Sequence, residues 1–163
     1  MFVLGIDPGL TRTGYGLVVK TSRGPLLRAV GVIRTEPGDP IEQRLLELHS
    51  DLTEIIAEHQ PEAMAIEQVF TNKNLMTSIA VGRASGIAIL AAASAGLPVH
   101  EYTPTQVKSA VAGFGKADKG QVQRMVAQRL GLAESPKPAD AADALAVALC
   151  HLQSFQLMEK MSR

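Results

Sequence analysis

The spacing of apolar residues changes abruptly between Ile33 and Ile41, and neither an all-helical nor an all-strand fold accommodates that change. Up to Ile33 the apolar residues come in short runs, Phe2 to Ile6, Tyr15 to Val19 and Leu26 to Ile33. Pro8-Gly9 and the Thr21-Ser22-Arg23-Gly24-Pro25 segment separate them, so the runs read as three strands, the second pair a hairpin. From Ile41 onward, Leu45, Leu48, Leu52 and Ile55 follow at spacings of 4, 3, 4 and 3, which is one face of a helix. Pro61 stops that helix, and Ala63 to Ile66 is a fourth strand ending at Glu67. Residues 75–95 form a second helix rich in Gly, Ala and Ser, and Val99 to Tyr102 a fifth strand before Pro104. The remainder is helical. Asp118-x-x-Gln121 has the spacing of a capping box opening a helix to about Leu130, and Asp140 opens a last helix to about Gln153. A meander of three strands followed by α/β alternation predicts an α/β domain, a mixed five-stranded sheet with helices on both faces. Residues 1–155 are expected to form one domain, with 156–163 a short, loose polar tail.

The N-terminal MFVLGIDPG lacks a basic region ahead of its apolar run, and the longest apolar stretch, Ile87 to Leu97, is short for a bilayer. The expectation is a cytoplasmic protein without membrane contact. One cysteine, Cys150, excludes an internal disulfide and a thiolate zinc site, and its Ala/Val/Leu surroundings mark a small core residue. Net charge is zero, but the charges are segregated. Residues 36–67 hold nine acids against Arg44 alone, whereas 68–130 hold seven basic residues against Glu101 and Asp118. A local basic face of that kind is the footprint of a nucleic-acid binder, although folding can also re-mix such segments.

Four carboxylates stand out. Asp7 and Glu67 each end a strand, and ligands of open α/β sheets gather where adjacent strands end. Asp before Pro-Gly is also ordinary turn chemistry, but an ionised Glu directly after Ala63-Met64-Ala65-Ile66 is costly to bury alone. Asp140 and Asp143 are three apart at a helix start, where capping and the helix dipole also favour acids. If all four converge, they stay ionised only by sharing a cation, and Mg²⁺ suits an all-oxygen site completed by phosphate. Two such ions ~3.5–4 Å apart would activate a water and stabilise the leaving oxygen in phosphodiester hydrolysis. His49, His59, His100 and His151 are scattered without metal-ligand spacing and read as surface or core.

Gly5-Ile6-Asp7-Pro8-Gly9 with Gly14-Tyr15-Gly16, then Ala65-Ile66-Glu67-Gln68-Val69-Phe70, then Ala139-Asp140-Ala141-Ala142-Asp143-Ala144-Leu145-Ala146 together resemble the RuvC family of Holliday-junction resolvases. The resemblance spans nearly the whole chain, with its three motifs in order. It implies a ribonuclease-H-like, homodimeric DNA endonuclease that nicks opposed strands of a four-way junction using Mg²⁺ or Mn²⁺. By matching position, Asp7, Glu67, Asp140 and Asp143 become the catalytic metal ligands. It also implies DNA contacts from Lys108, Lys116 and Lys119, which Lys73, Arg83 and Arg124 can join. Phe70 would stack on an unpaired base at the crossover or else staple the next helix. RuvA and RuvB, a branch-migration complex, are the implied partners in recombination and repair. A two-fold junction calls for two sites, hence a dimer, with helix 75–95 the candidate interface. Gly5 to Gly16 also resembles the first phosphate loop of actin-like ATPases, but no second Asp-x-Gly loop follows. A nuclease for RNA–DNA hybrids would share the fold and the metal chemistry, and a non-catalytic junction binder would share the basic face.

Overall fold

The structure, a computed structural model, describes residues 1–69 and 74–161. Its elements follow in the order β1 (Phe2–Asp7), β2 (Arg12–Thr21), β3 (Gly24–Arg34), α1 (Ile41–His59), β4 (Ala63–Glu67), α2 (Leu75–Ser94), β5 (Val99–Tyr102), α3 (Pro104–Ala112), α4 (Lys119–Leu130) and α5 (Ala139–Met161). The five strands form one mixed sheet in the order β3-β2-β1-β4-β5. β1–β2 and β2–β3 are antiparallel hairpins, and β4 joins β1 and β5 in parallel. The expected α/β architecture is therefore present.

Strand alternation sorts the core into two halves. Val3 on β1 and Ala65 on β4 join Val107, Val122, Val126, Leu145 and Leu149, the core under α3, α4 and α5. Leu4 and Ile6, with Met64 and Ile66, join Leu48, Leu52, Ala84 and Ala88, the core under α1 and α2. Continuing that alternation by one step aims both Asp7 and Glu67 at the α5 side.

Helix α5 comes unusually close to the sheet because glycines face it. A Cβ on Gly5 would stand 2.1 Å from the Ala144 carbonyl oxygen, one on Gly14 2.0 Å from that of Asp140, and one on Gly16 2.6 Å from Leu145 Cδ2. Backbone contact requires glycine at Gly5 and Gly14, and at Gly16 the Leu145 side chain would have to give way. The alanines at 141, 142, 144, 146 and 148, all buried, complete the fit from the helix side.

Several expectations need correction. α5 continues to Met161, past the expected end near Gln153, so residues 156–161 are helical. No Gly or Pro interrupts that stretch, and Leu157, Met158 and Lys160 carry the helix on. On α1 the buried positions are Arg44, Leu48, Leu52 and Ile56, while Ile41 is 36% exposed. The inward stripe thus runs at four-residue steps and starts on an arginine. α2 as a whole, unlike its Ile87–Ser94 portion, is long and apolar enough by length and composition to cross a membrane. In the fold it packs on α1 through Ala84, Ala88, Ala91 and Ala92. The histidines are not all scattered. His100 and His151 stack with ring centroids 4.5 Å apart, and the Tyr102 hydroxyl lies 2.7 Å from His151 Nδ1. Burial, then the charge of His100, pushes His151 down to about 4, so it is neutral core. Cys150 is buried too, and burial pushes its thiol up to about 11, which leaves it unreactive.

Candidate active site

The site lies at the C-terminal edge of β1 and β4, under the first turns of α5. Parallel pairing of Ile6 with Ile66 makes Asp7 and Glu67 neighbours at the two strand ends. On the other side Asp7 is the register partner of Gly14. Because Gly14 touches the Asp140 backbone, the helix start is fixed directly over Asp7. Asp140 lies in the first turn of α5 and Asp143 three residues on, so both project from one side.

Electrostatics show that the four acids share one neighbourhood. Burial first, then the charges of Asp143, Glu67 and Asp140, push the Asp7 carboxyl up to about 8, with Lys119 pulling against them. Burial and Asp143 raise Glu67 as well, opposed by Lys108 and Lys119. At neutral pH Asp7 therefore holds its proton as long as no cation is present.

Lys119 is the first residue of α4, behind the Asp118–Gln121 capping box, in which each residue's backbone N–H donates to the other's side chain. Its ammonium stands 2.9 Å from Asp143 Oδ2. That bond, ahead of the charges of Asp143, Asp7 and Asp140, raises Lys119 above the usual lysine range, while burial opposes the rise. Among the described residues, no three of His, Cys, Asp and Glu converge tightly enough to hold a metal ion as they stand. Asp143 leans toward Lys119 instead. The donor set nevertheless fits a hard divalent cation, being all carboxylate and holding a displaceable proton on Asp7.

Two clefts meet at Glu67. One, about 400 Å³, is lined by Asp7, Pro8, Gln68, Thr77, Ser78 and Pro104 among others. The second, about 210 Å³, is lined by Lys108, Lys119, Asp143 and Val122. Lys108 and Lys119 thus stand beside the acids. Arg83, Lys116 and Arg124 are exposed and line neither cleft. Phe70 and Lys73 lie outside the described residues. Sequence reasoning missed Thr77, Ser78 and Pro104 as cleft residues. Pro104 has the signal of position, two residues past the end of β5, whereas Thr77 and Ser78 lie at the start of α2 and have none.

A model of the family described as crossover junction endodeoxyribonuclease RuvC matches residues 3–151. The RuvC of Pelotomaculum thermopropionicum is 52% identical over 161 residues, 99% of this chain and 98% of that protein. A Thermus thermophilus RuvC structure in complex with Holliday junction substrate superposes with a TM-score of 0.91 and 41% identity, over 96% of both chains. The yeast mitochondrial Holliday junction resolvase Ydc2, at 14% identity and a TM-score of 0.64 over 93% of this chain and 78% of that one, shares the fold alone. That fold is ribonuclease-H-like, as the motifs imply. By a family match over most of its length and by a relative 52% identical end to end, the chain belongs to the RuvC family of crossover junction endodeoxyribonucleases.

Proposed function

We propose that this protein is a structure-specific endodeoxyribonuclease that resolves four-way DNA junctions in recombination and repair, with Asp7, Glu67, Asp140 and Asp143 as its catalytic metal ligands. The observation that carries this reading is the gathering of four carboxylates at one buried sheet end, where burial first, and then the charges of Asp143, Glu67 and Asp140, hold a proton on Asp7 to about 8. Such a cluster repels phosphate on its own, so it serves DNA only with a cation between the two. Mg²⁺, with Mn²⁺ able to substitute, would polarise the scissile phosphate and lower the pKa of an attacking water. The chain's own residues supply the rest. To hold such an ion Asp7 would give up its proton and Asp143 would release Lys119. Lys119 would then stand, beside Lys108, ready for the phosphate backbone. Lys116, Arg124 and Arg83 would extend that contact, which positions DNA without reading sequence.

The test is a panel of labelled junction, duplex, RNA–DNA hybrid and ATP, each with and without Mg²⁺. Paired nicks in the junction alone, dependent on the ion, are the expected result. Cleavage of the hybrid would make the protein a hybrid nuclease, turnover of ATP an ATPase, and binding without cleavage a non-catalytic module.

Junction symmetry calls for a homodimer, and α2 carries a face suited to it. Leu75, Ile79 and Leu90 are exposed at 64, 41 and 53%, in line with Gly82 and Gly86. Exposed helix glycines cost about 1 kcal/mol each against alanine, and neither has anything within 4 Å of a would-be Cβ. Close approach of a second helix accounts for both. Gly86→Glu should convert the sedimenting species at micromolar concentration from dimer to monomer and abolish paired nicking. A variant that sediments as the wild type does removes α2 as the interface. RuvA and RuvB remain the family-implied partners of this assembly.

A further inference from the structure

We propose that Arg44 is a positioning residue for the cleavage reaction, acting on Asp7 through the turn between β1 and β2; the inference rests on the nuclease reading above. On α1 the core-facing positions are Arg44, Leu48, Leu52 and Ile56. Three are apolar, and the first is a guanidinium only 8% exposed. Among the described residues no carboxylate lies within ion-pair distance of it. Its partners are hydroxyls. Nε donates to Thr35 Oγ1 at 3.0 Å and Nη2 to Thr11 Oγ1 at 3.0 Å. A charge buried among neutral partners is a costly choice for packing alone, since methionine or leucine fills the same volume without desolvation.

What the guanidinium holds explains the choice. The Thr35 hydroxyl donates to the Leu10 carbonyl at 2.6 Å, and the Thr35 backbone N–H to the Thr11 carbonyl at 3.2 Å. The Thr13 hydroxyl donates to the Gly9 carbonyl at 2.6 Å. Residues 9, 10 and 11 are each tied by a directed hydrogen bond, and Pro8 alone separates that turn from Asp7. Arg44 thus joins α1, on one face of the sheet, to the segment that fixes the last residue of β1 for use on the other face. The planar fork gives two bonds of set direction, which a lysine ammonium on a flexible stem does not reproduce.

The test compares Arg44→Met and Arg44→Lys with wild type in the full-length protein. The expected result is a fall of tenfold or more in cleavage rate at saturating junction, with junction affinity within twofold of wild type. The Mn²⁺ concentration for half-occupancy, read by electron paramagnetic resonance without DNA, should rise several-fold in both variants. Arg44→Met should melt no earlier than wild type. An unchanged rate with unchanged Mn²⁺ binding overturns the proposal, as does a rate loss fully matched by a lower melting temperature or by lost junction binding. If Arg44→Met does not fold, Thr11→Val carries the test. Thr11 is exposed, and its loss should slow cleavage at an unchanged melting temperature, whereas full activity overturns the idea. A wild-type protein that binds Mn²⁺ but cuts no junction means that the nuclease reading has failed. The Mn²⁺ arm still reports on Arg44 in that case.

Discussion

Asp7→Asn is expected to lose junction cleavage by at least about a thousandfold, about 4 kcal/mol in the barrier, while folding and binding junction DNA normally. Asparagine keeps the size and one oxygen but cannot carry the charge that a shared cation requires. The same variant should be more stable than wild type in chelator. Asp7 rises from 3.8 to about 8 on folding, so the folded protein holds an extra proton between those values. A group raised in this way makes stability fall as pH increases through that window, because the folded state must surrender the proton at a cost. Asparagine has nothing to surrender. The gap in melting temperature should therefore be small at pH 5 and widen to pH 9, and even about 1 kcal/mol of relieved repulsion moves the midpoint by about 2–4 °C in a domain of this size. Added Mg²⁺ should raise the wild-type midpoint and leave the variant's unchanged. Thermal denaturation at three pH values, with EDTA and with Mg²⁺, decides the matter. A variant that cuts normally, or melts below wild type at pH 9 in chelator, removes Asp7 from the centre of the cluster.

Gly14→Ala is expected to be the most damaging single methyl in the protein. Its Cβ would stand 2.0 Å from the Asp140 carbonyl oxygen, a backbone atom with no side-chain freedom to give way. Overpacking typically costs about 1–3 kcal/mol, and here the relief must come from moving the start of α5. That start carries Asp140 and Asp143, and a misplacement of about 1 Å is enough for a loss of about a hundredfold in rate. Gly14→Ala should lower both melting temperature and cleavage, whereas Gly38→Ala, with nothing within 4 Å, should change neither. Equal behaviour of the two variants in a melting and cleavage series contradicts the close-contact account of the Gly14-Tyr15-Gly16 motif.

Much of this was legible in the sequence, and the reasons differ by element. The strands and the two long early helices follow from spacing, since runs and four-three repeats are local signals. The capping box at Asp118 is local too, and α4 begins where it predicts. The acids at 7 and 67 are readable because each ends an apolar strand, and strand parity sends both to one face. The continuation of α5 to Met161 was not legible, because nothing local marks an end when neither Gly nor Pro intervenes. Arg44 was hidden for a different reason. A charged residue in a helical repeat reads as solvent-facing, and only the fold shows Thr11 and Thr35, from two separate segments, collected around it. The Lys119–Asp143 contact is likewise invisible in one dimension, joining α4 to α5 across a proline-containing connector.

The nestling of the last helix against the first hairpin has an implication for biosynthesis. Asp7 emerges from the ribosome 133 residues ahead of Asp140 (140 − 7), roughly ten seconds at about 5–20 residues per second. On the assignment proposed above, Asp7 and Glu67 wait without their companions until the segment carrying Asp140 and Asp143 is made, so the capacity to cut would arise only late in synthesis.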